Sequence, residues 1–185
     1  MSGNLQEHLD VFNRLPSVQE AVDRAAELMS ATLRGGHKLL FCGNGGSAAD
    51  SQHFASELTG RLVQDRRPLA AIALTTDTSA LTSIANDYSF DEVFCRQILG
   101  LGRPGDCLIA ISTSGNSSNV LRAAETARAA GLSIIGMLGR DGGRLRSLVD
   151  VPIVVPSDST ARIQEAHLFI GHTLCGLVEQ SLGLE

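Results

Sequence analysis

Tryptophan is absent and tyrosine occurs once, so aromatic residues make up only 4% of the 185-residue chain although 43% of it is hydrophobic. A core must therefore be built mainly from Ala, Leu, Ile and Val, as in ordinary globular α/β proteins, and the length suits one domain. Runs of Lys or Arg are also missing, and the net charge is −5. Holding a nucleic-acid backbone takes a basic patch, so no nucleic-acid partner is expected. No apolar stretch approaches the roughly 18 residues that cross a bilayer, and the first residues lack the basic-then-apolar pattern of an export leader, so no membrane partner is expected either. Cys42, Cys95, Cys107 and Cys175 are scattered without C-x-x-C spacing. They read as buried free thiols of a reducing compartment, which points to a cytoplasmic protein. Repeats, linkers and low-complexity segments are lacking as well, leaving residues 1–185 as one expected domain.

What the chain does have is a pair of similar turns. In the first, the apolar run Leu39, Leu40, Phe41 and Cys42 leads into Gly43, Asn44, Gly45, Gly46 and Ser47. In the second, Leu108, Ile109, Ala110 and Ile111 lead into Ser112, Thr113, Ser114, Gly115, Asn116 and Ser117. Each reads as a buried strand followed by a tight turn and a helix start. Such a turn aims backbone N–H groups and hydroxyls at one spot beside the positive end of a helix dipole, which holds a phosphate with few cations. Two of them suggest a phosphorylated small molecule.

Strands are expected at 38–42, 69–74, 107–111, 133–138 and 151–155. Helical stretches are expected near 47–60, 77–87, 117–130 and 143–148, with a long last helix over 161–182. Before these, Leu5, Leu9 and Phe12 mark one helix, and Val18, Ala21, Val22, Ala25, Leu28 and Met29 another, with Ser17 as its cap and Gly35 and Gly36 as its stop. Strands alternating with helices imply a mostly parallel five-stranded sheet covered on both faces. Leu168, Phe169, Leu174, Leu177 and Val178 spread round more than one face of the last helix, as an interface with another subunit requires.

The first turn satisfies a dinucleotide-binding pattern at Gly43, Gly45 and Ala48, but the acidic residue required about 20 positions later is missing, since the next strand ends near Asp77. A second cluster is metal-like. His53 and Glu57 lie four apart on one helix face, where they form either a solvated contact or half of a metal site. On the last helix, Gln164, His167 and His172 offer further donors, with Arg162 and Glu165 read as facing water or a partner. Gln164 and His172 are separated by about 12 Å along a straight helix. Both reach one ion only if stretched toward each other; otherwise His167 replaces one of them, or two subunits contribute. The plainer reading of His167 is a helix-face or core histidine. Arg61, Arg66 and Arg67 beside Asp65 read as a solvated surface loop, with Arg61 a further phosphate candidate, and 139–143 as a turn.

The stretches 42–61, 84–90, 111–120 and 161–175 resemble the phosphoheptose isomerases of the sugar-isomerase (SIS) domain superfamily, and the similarity runs over nearly the whole chain. The resemblance implies a flavodoxin-like three-layer sandwich with extra N-terminal helices, residues 1–34, that pack on it and enter an oligomer interface. It implies a homotetramer that converts sedoheptulose 7-phosphate to D-glycero-D-manno-heptose 7-phosphate, the first step toward the nucleotide-activated heptose of lipopolysaccharide core. Position by position, it implies that Asn44, Gly45, Gly46, Asn86 and Asp87 contact substrate and that Ser112, Thr113, Ser114 and Ser117 hold the phosphate. His53, Glu57, Gln164 and His172 match the family's zinc ligands, one Zn2+ per subunit, with Glu57 and Gln164 also touching substrate; His167 matches none.

Isomerisation between aldose and ketose moves a proton between adjacent carbons through an enediol, so it needs a base, an acid and stabilisation of the developing enolate. Glu57 is the candidate base and His172 the candidate acid, with zinc polarising the carbonyl. Two rivals stand beside this reading. A non-catalytic SIS scaffold that binds a replication initiator has similar sequence but lacks the set Gly46, Glu57, Ser114 and His172, all present here. A sugar-phosphate sensor would need the loops without the metal residues.

Overall fold

The computed structural model describes residues 1–184; the expected domain span, 1–185, extends one residue beyond them. Five strands form a sheet in the order β2-β1-β3-β4-β5, with β1 at Leu39–Gly43, β2 at Ala71–Ala73, β3 at Cys107–Ser112, β4 at Ser133–Gly139 and β5 at Val151–Val155. Every neighbouring pair is parallel. This is the expected five-stranded three-layer sandwich, in flavodoxin-like strand order.

Side chains alternate between two cores. Leu39, Phe41, Ile109, Ile111, Ile135, Met137 and Ile153 face the helices α2 (Gln19–Arg34), α3 (Gly46–Thr59) and α7 (Thr160–Ser181). Leu40, Cys42, Leu108, Ala110, Ile134 and Leu138 face α5 (Cys95–Leu101) and α6 (Ser118–Ala129). Burial on both faces is why these strands read as continuous apolar runs rather than alternating ones. Helix α3 leaves β1 toward one face and α6 leaves β3 toward the other, and β1 pairs directly with β3. The crevice between their carboxyl ends is a topological switch point, where open parallel sheets bind ligands.

Three local expectations need correction. Strand β2 covers only Ala71–Ala73 of the expected 69–74, because it sits at the sheet edge with a single neighbour. Helix α5 was not expected; seven residues with Cys95 and Ile98 buried are too few to show a helical period. Ser17 does not cap α2, whose N-cap is Val18; a short 3-10 turn, Leu15–Val18, precedes it, and the Ser17 hydroxyl donates to the Arg14 carbonyl at 2.7 Å. The other N-terminal helix, α1, is Ser2–Phe12, and α4 is Thr78–Asp87. All four cysteines are free and buried. Among the described residues no helix is long and apolar enough to cross a membrane.

Candidate active site

Both turns lie at the carboxyl ends of β1 and β3, where Gly43 pairs with Ile111. A side chain at Gly43 would stand 2.8 Å from Ser47 Cβ and 2.9 Å from the Ile111 carbonyl oxygen, so the first turn can start only on glycine. Gly45 and Gly115 take positive φ, 57° and 63°, which L side chains rarely adopt. Helix α3 then begins at Gly46 and α6 at Ser118, and no side chain among the described residues caps either start. Ser117, the N-cap of α6, directs its hydroxyl to the Ser112 hydroxyl at 3.1 Å instead. The Ser114 hydroxyl accepts from the Asn116 amide at 3.2 Å. Thr113 lies in the same turn, half-buried.

The two loops are joined by a pair of amides. Asn44 Nδ2 donates to Asn119 Oδ1 at 2.8 Å, and Asn119 Nδ2 returns a bond to Asn44 Oδ1 at 2.9 Å. Asn119 is buried. It escaped the sequence reading, although its position in the first turn of a helix that follows a serine-rich loop is the signal that could have found it.

Helices α3 and α7 lie side by side in the same sense, since Gly46 meets Gln164, Phe54 meets Gly171 and His53 meets His172. Gly171 has no side chain because the Phe54 ring occupies the place where its Cβ would be. That close seam brings the metal-like residues together. His53 Nε2 lies 3.1 Å from Glu57 Oε1 and 3.4 Å from His172 Nε2, and one ligand atom from each of the three falls within 4.8 Å of the other two. Two nitrogens bound to one tetrahedral ion at about 2.0–2.1 Å stand roughly 3.3 Å apart, so the spacing suits a cation held between these side chains. His172 joins His53 and Glu57 from a helix more than a hundred residues away in sequence, so the cluster is more than an i, i+4 contact within one helix.

Gln164 lines the loop side of the same seam. Its amide lies over Gly46, where an added Cβ would sit 2.8 Å from Gln164 Cδ. His167 is not a donor to the triad. It is buried, hydrogen-bonded through Nε2 to the Leu138 carbonyl at 3.0 Å, and burial lowers its pKa to about 4 against the opposing effect of that bond. Asp50, missed by the sequence reading, stands three residues before His53 on α3; its Oδ2 is buried with no partner among the described residues. Burial raises its carboxyl pKa, and the nearby His53 opposes the rise. The i, i+3 spacing to His53 is the signal that could have found it.

Asn86 and Asp87 end α4, both exposed, with Asn86 Nδ2 donating to Asp87 Oδ1 at 2.8 Å. Two other readings are corrected. Arg66 is not solvated: its side chain is 2% exposed and pairs with Glu179 at 2.7 Å. Arg162 and Glu165 do not simply face water, since Arg162 bonds Glu165 at 2.7 Å and the Asn4 carbonyl at 2.6 Å while Glu165 accepts from His8 at 2.7 Å, stapling α1 onto α7.

Comparison with known proteins agrees with this arrangement. The SIS domain family profile matches residues 5–139. A phosphoheptose isomerase from Rhodospirillum rubrum is 54% identical over 173 residues, covering 94% of this chain and 92% of the relative. The chain belongs to the phosphoheptose isomerase family. Its fold is that of the family's solved members: one from Neisseria gonorrhoeae superposes with a TM-score of 0.92 at 46% identity, covering 97% of this chain and 96% of that one. A second, from Francisella tularensis, gives 0.94 at 37% identity with the same coverage. The protein is therefore an enzyme of the phosphoheptose isomerase class, acting on a sugar phosphate, and the triad His53, Glu57 and His172 is a possible metal site within it.

Proposed function

We propose that this enzyme interconverts sedoheptulose 7-phosphate and D-glycero-D-manno-heptose 7-phosphate. The observation that carries the reading is the convergence of His53, Glu57 and His172 at 3.1 and 3.4 Å beside two loops suited to a phosphorylated sugar. The phosphate is assigned to Ser112, Thr113, Ser114 and Ser117 and the N-terminus of α6. Asn44, Gly45, Gly46, Gln164, Asn86 and Asp87 are assigned to the sugar hydroxyls.

In the forward direction the Glu57 carboxylate removes the proton from the carbon next to the ketone. Its Oε1 faces His53, and Oε2 is the oxygen assigned to the proton. His172, through the ring nitrogen that does not face His53, gives a proton to the carbonyl oxygen, so the bond electrons end in an enediol rather than in an exposed enolate. Return of a proton to the neighbouring carbon, with loss of a hydroxyl proton from the other oxygen, completes the aldose. Zinc, held by His53, Glu57, His172 and Gln164, one per subunit, would supply Lewis-acid polarisation of the sugar carbonyl. Four free buried thiols fit a cytoplasmic enzyme, and the class fits a tetramer whose interfaces cover exposed residues such as Phe169, Leu99 and Phe90. The whole chain acts as one SIS domain, and the product is assigned to the heptose of lipopolysaccharide core.

The test is an assay with sedoheptulose 7-phosphate in chelator, then with zinc restored. Loss and recovery of turnover is the expected result. Unchanged substrate at high enzyme concentration with zinc supplied would transfer the chain to the scaffold or sensor reading.

A further inference from the structure

The loop after α3 folds back beneath that helix and places Arg66 against its last turn. Helix C-termini leave carbonyls without intrahelical donors, and a cation there also meets the negative end of the helix dipole. The Arg66 guanidinium supplies both. Nη2 donates to the Glu57 carbonyl at 2.7 Å, and Nη1 donates to the Leu58 and Gly60 carbonyls at 2.8 Å each and to the Arg67 carbonyl at 3.1 Å. Its Nε and Nη2 also meet Glu179 Oε1 at 2.7 Å, and the Glu179 side chain is only 7% exposed. Glu179 lies seven residues beyond His172, two turns along the same face of α7. One guanidinium thus ties the backbone of Glu57 to the helix that carries His172.

Burying an ion pair is close to neutral for stability, because desolvation offsets the attraction, whereas the geometry it imposes is specific. The charges also sit close to the metal-like residues. The Cys175 thiol is pushed up to about 12 first by burial and then by the charges of Glu57 and Glu179, with Arg66 opposing.

We infer that Arg66 and Glu179 are positioning residues that set the spacing of α3 against α7 and so hold Glu57 and His172 at ligand distance. The inference rests on the metal-site reading above. Outer partners of metal ligands typically govern affinity by about 10–100-fold.

Zinc affinity is measured by competition with a chromophoric chelator, well below the melting temperature, for the wild type, Glu179→Gln and Arg66→Lys. Asp106→Asn, in the turn before β3 and bonded to Lys38 and Arg103 rather than to α3 or α7, serves as a destabilised control. Glu179→Gln keeps the shape and removes the charge; Arg66→Lys keeps the charge and removes the fan of donors, and stands in if the first variant does not fold. The clamp predicts a dissociation constant raised about 10–100-fold in each folded variant and unchanged in Asp106→Asn. Unaltered affinity in both variants, or an equal loss in the control, overturns it. A wild type that binds no zinc would remove the metal-site reading itself, a separate failure visible in the first sample.

Discussion

The two ends of the parallel sheet use the same strands for opposite purposes. At the amino end, the buried Asp106 carboxylate accepts from the Lys38 amide at 3.0 Å, the Lys38 ammonium at 2.5 Å and the Arg103 amide at 2.8 Å, with His37 at 3.9 Å. Burial alone would raise its pKa, but the bonds from Lys38 and Arg103 hold it below the ordinary carboxylate value. At the carboxyl end, Ser112 and Ser117 bond mainly to each other and two helix starts lack side-chain caps among the described residues, and along the α3–α7 seam that runs back from it two histidine nitrogens face one another at 3.4 Å. Polar groups that are fully paired stabilise a fold, whereas donors and acceptors that face one another in a crevice are arranged for something that binds between them. The difference separates the residues that hold the sheet together from those assigned to its chemistry.

That contrast is broken most directly by changing one carboxylate from each set. Glu57→Gln is expected to lower kcat by about 10²–10⁴ with little change in melting temperature, as removal of a general base does. Near-normal turnover of this variant with zinc bound would show that Glu57 is a ligand and not the base. In the fully paired set, Asp106→Asn is expected to cost about 1.5–3 kcal/mol in urea unfolding, the range for a charged hydrogen-bond partner, with kcat/KM unaltered. Exchanged outcomes, activity lost at Asp106 and stability lost at Glu57, would end the distinction.

Acid titration sharpens it further. His167 is neutral in the fold with its pKa near 4, so the unfolded chain binds a proton first, and stability should fall as pH drops from about 6.5 to about 4 by at most about 1.4 kcal/mol per pH unit. Asp106 has a depressed pKa, so its contribution is complete above about 3.9 and is lost as pH falls through its lower folded value. Denaturant midpoints measured from pH 7 to pH 2 should show the first decline abolished by His167→Gln and the second by Asp106→Asn. The smallest effect is expected at the seam. Gly46→Ala displaces the Gln164 amide and should lower kcat/KM about fivefold, roughly 1 kcal/mol, with zinc still bound. No change in kcat/KM would remove Gln164 from the substrate contacts.

The carboxyl-end loops were legible because their chemistry is local: Gly43 to Ser47 and Ser112 to Ser117 each carry strand, turn and helix start in one short stretch. His53 and Glu57 were legible for the same reason, being one turn apart. Long-range partners were not. Arg66 sits among charged neighbours and reads as solvent-facing, whereas the carbonyls at the end of α3 and Glu179, 113 residues away, account for its burial. Arg162 is likewise partnered by a carbonyl 158 residues away in α1. His167 reads plainly as a helix-face or core histidine, and its burial and its bond to Leu138 decide for the core. Helix α5 failed for want of length, and β2 was overdrawn because the apolar run continues past the sheet edge that ends its pairing.

The most direct measurement is a crystal structure with zinc and product, using anomalous scattering at the zinc edge. A peak about 2.0–2.2 Å from His53 Nε2, Glu57 and His172 Nε2, with the product phosphate on the Ser112–Ser117 loop of the same site, is the predicted result. Zinc bound elsewhere, or a phosphate seated too far away for its sugar to reach Glu57, would contradict it.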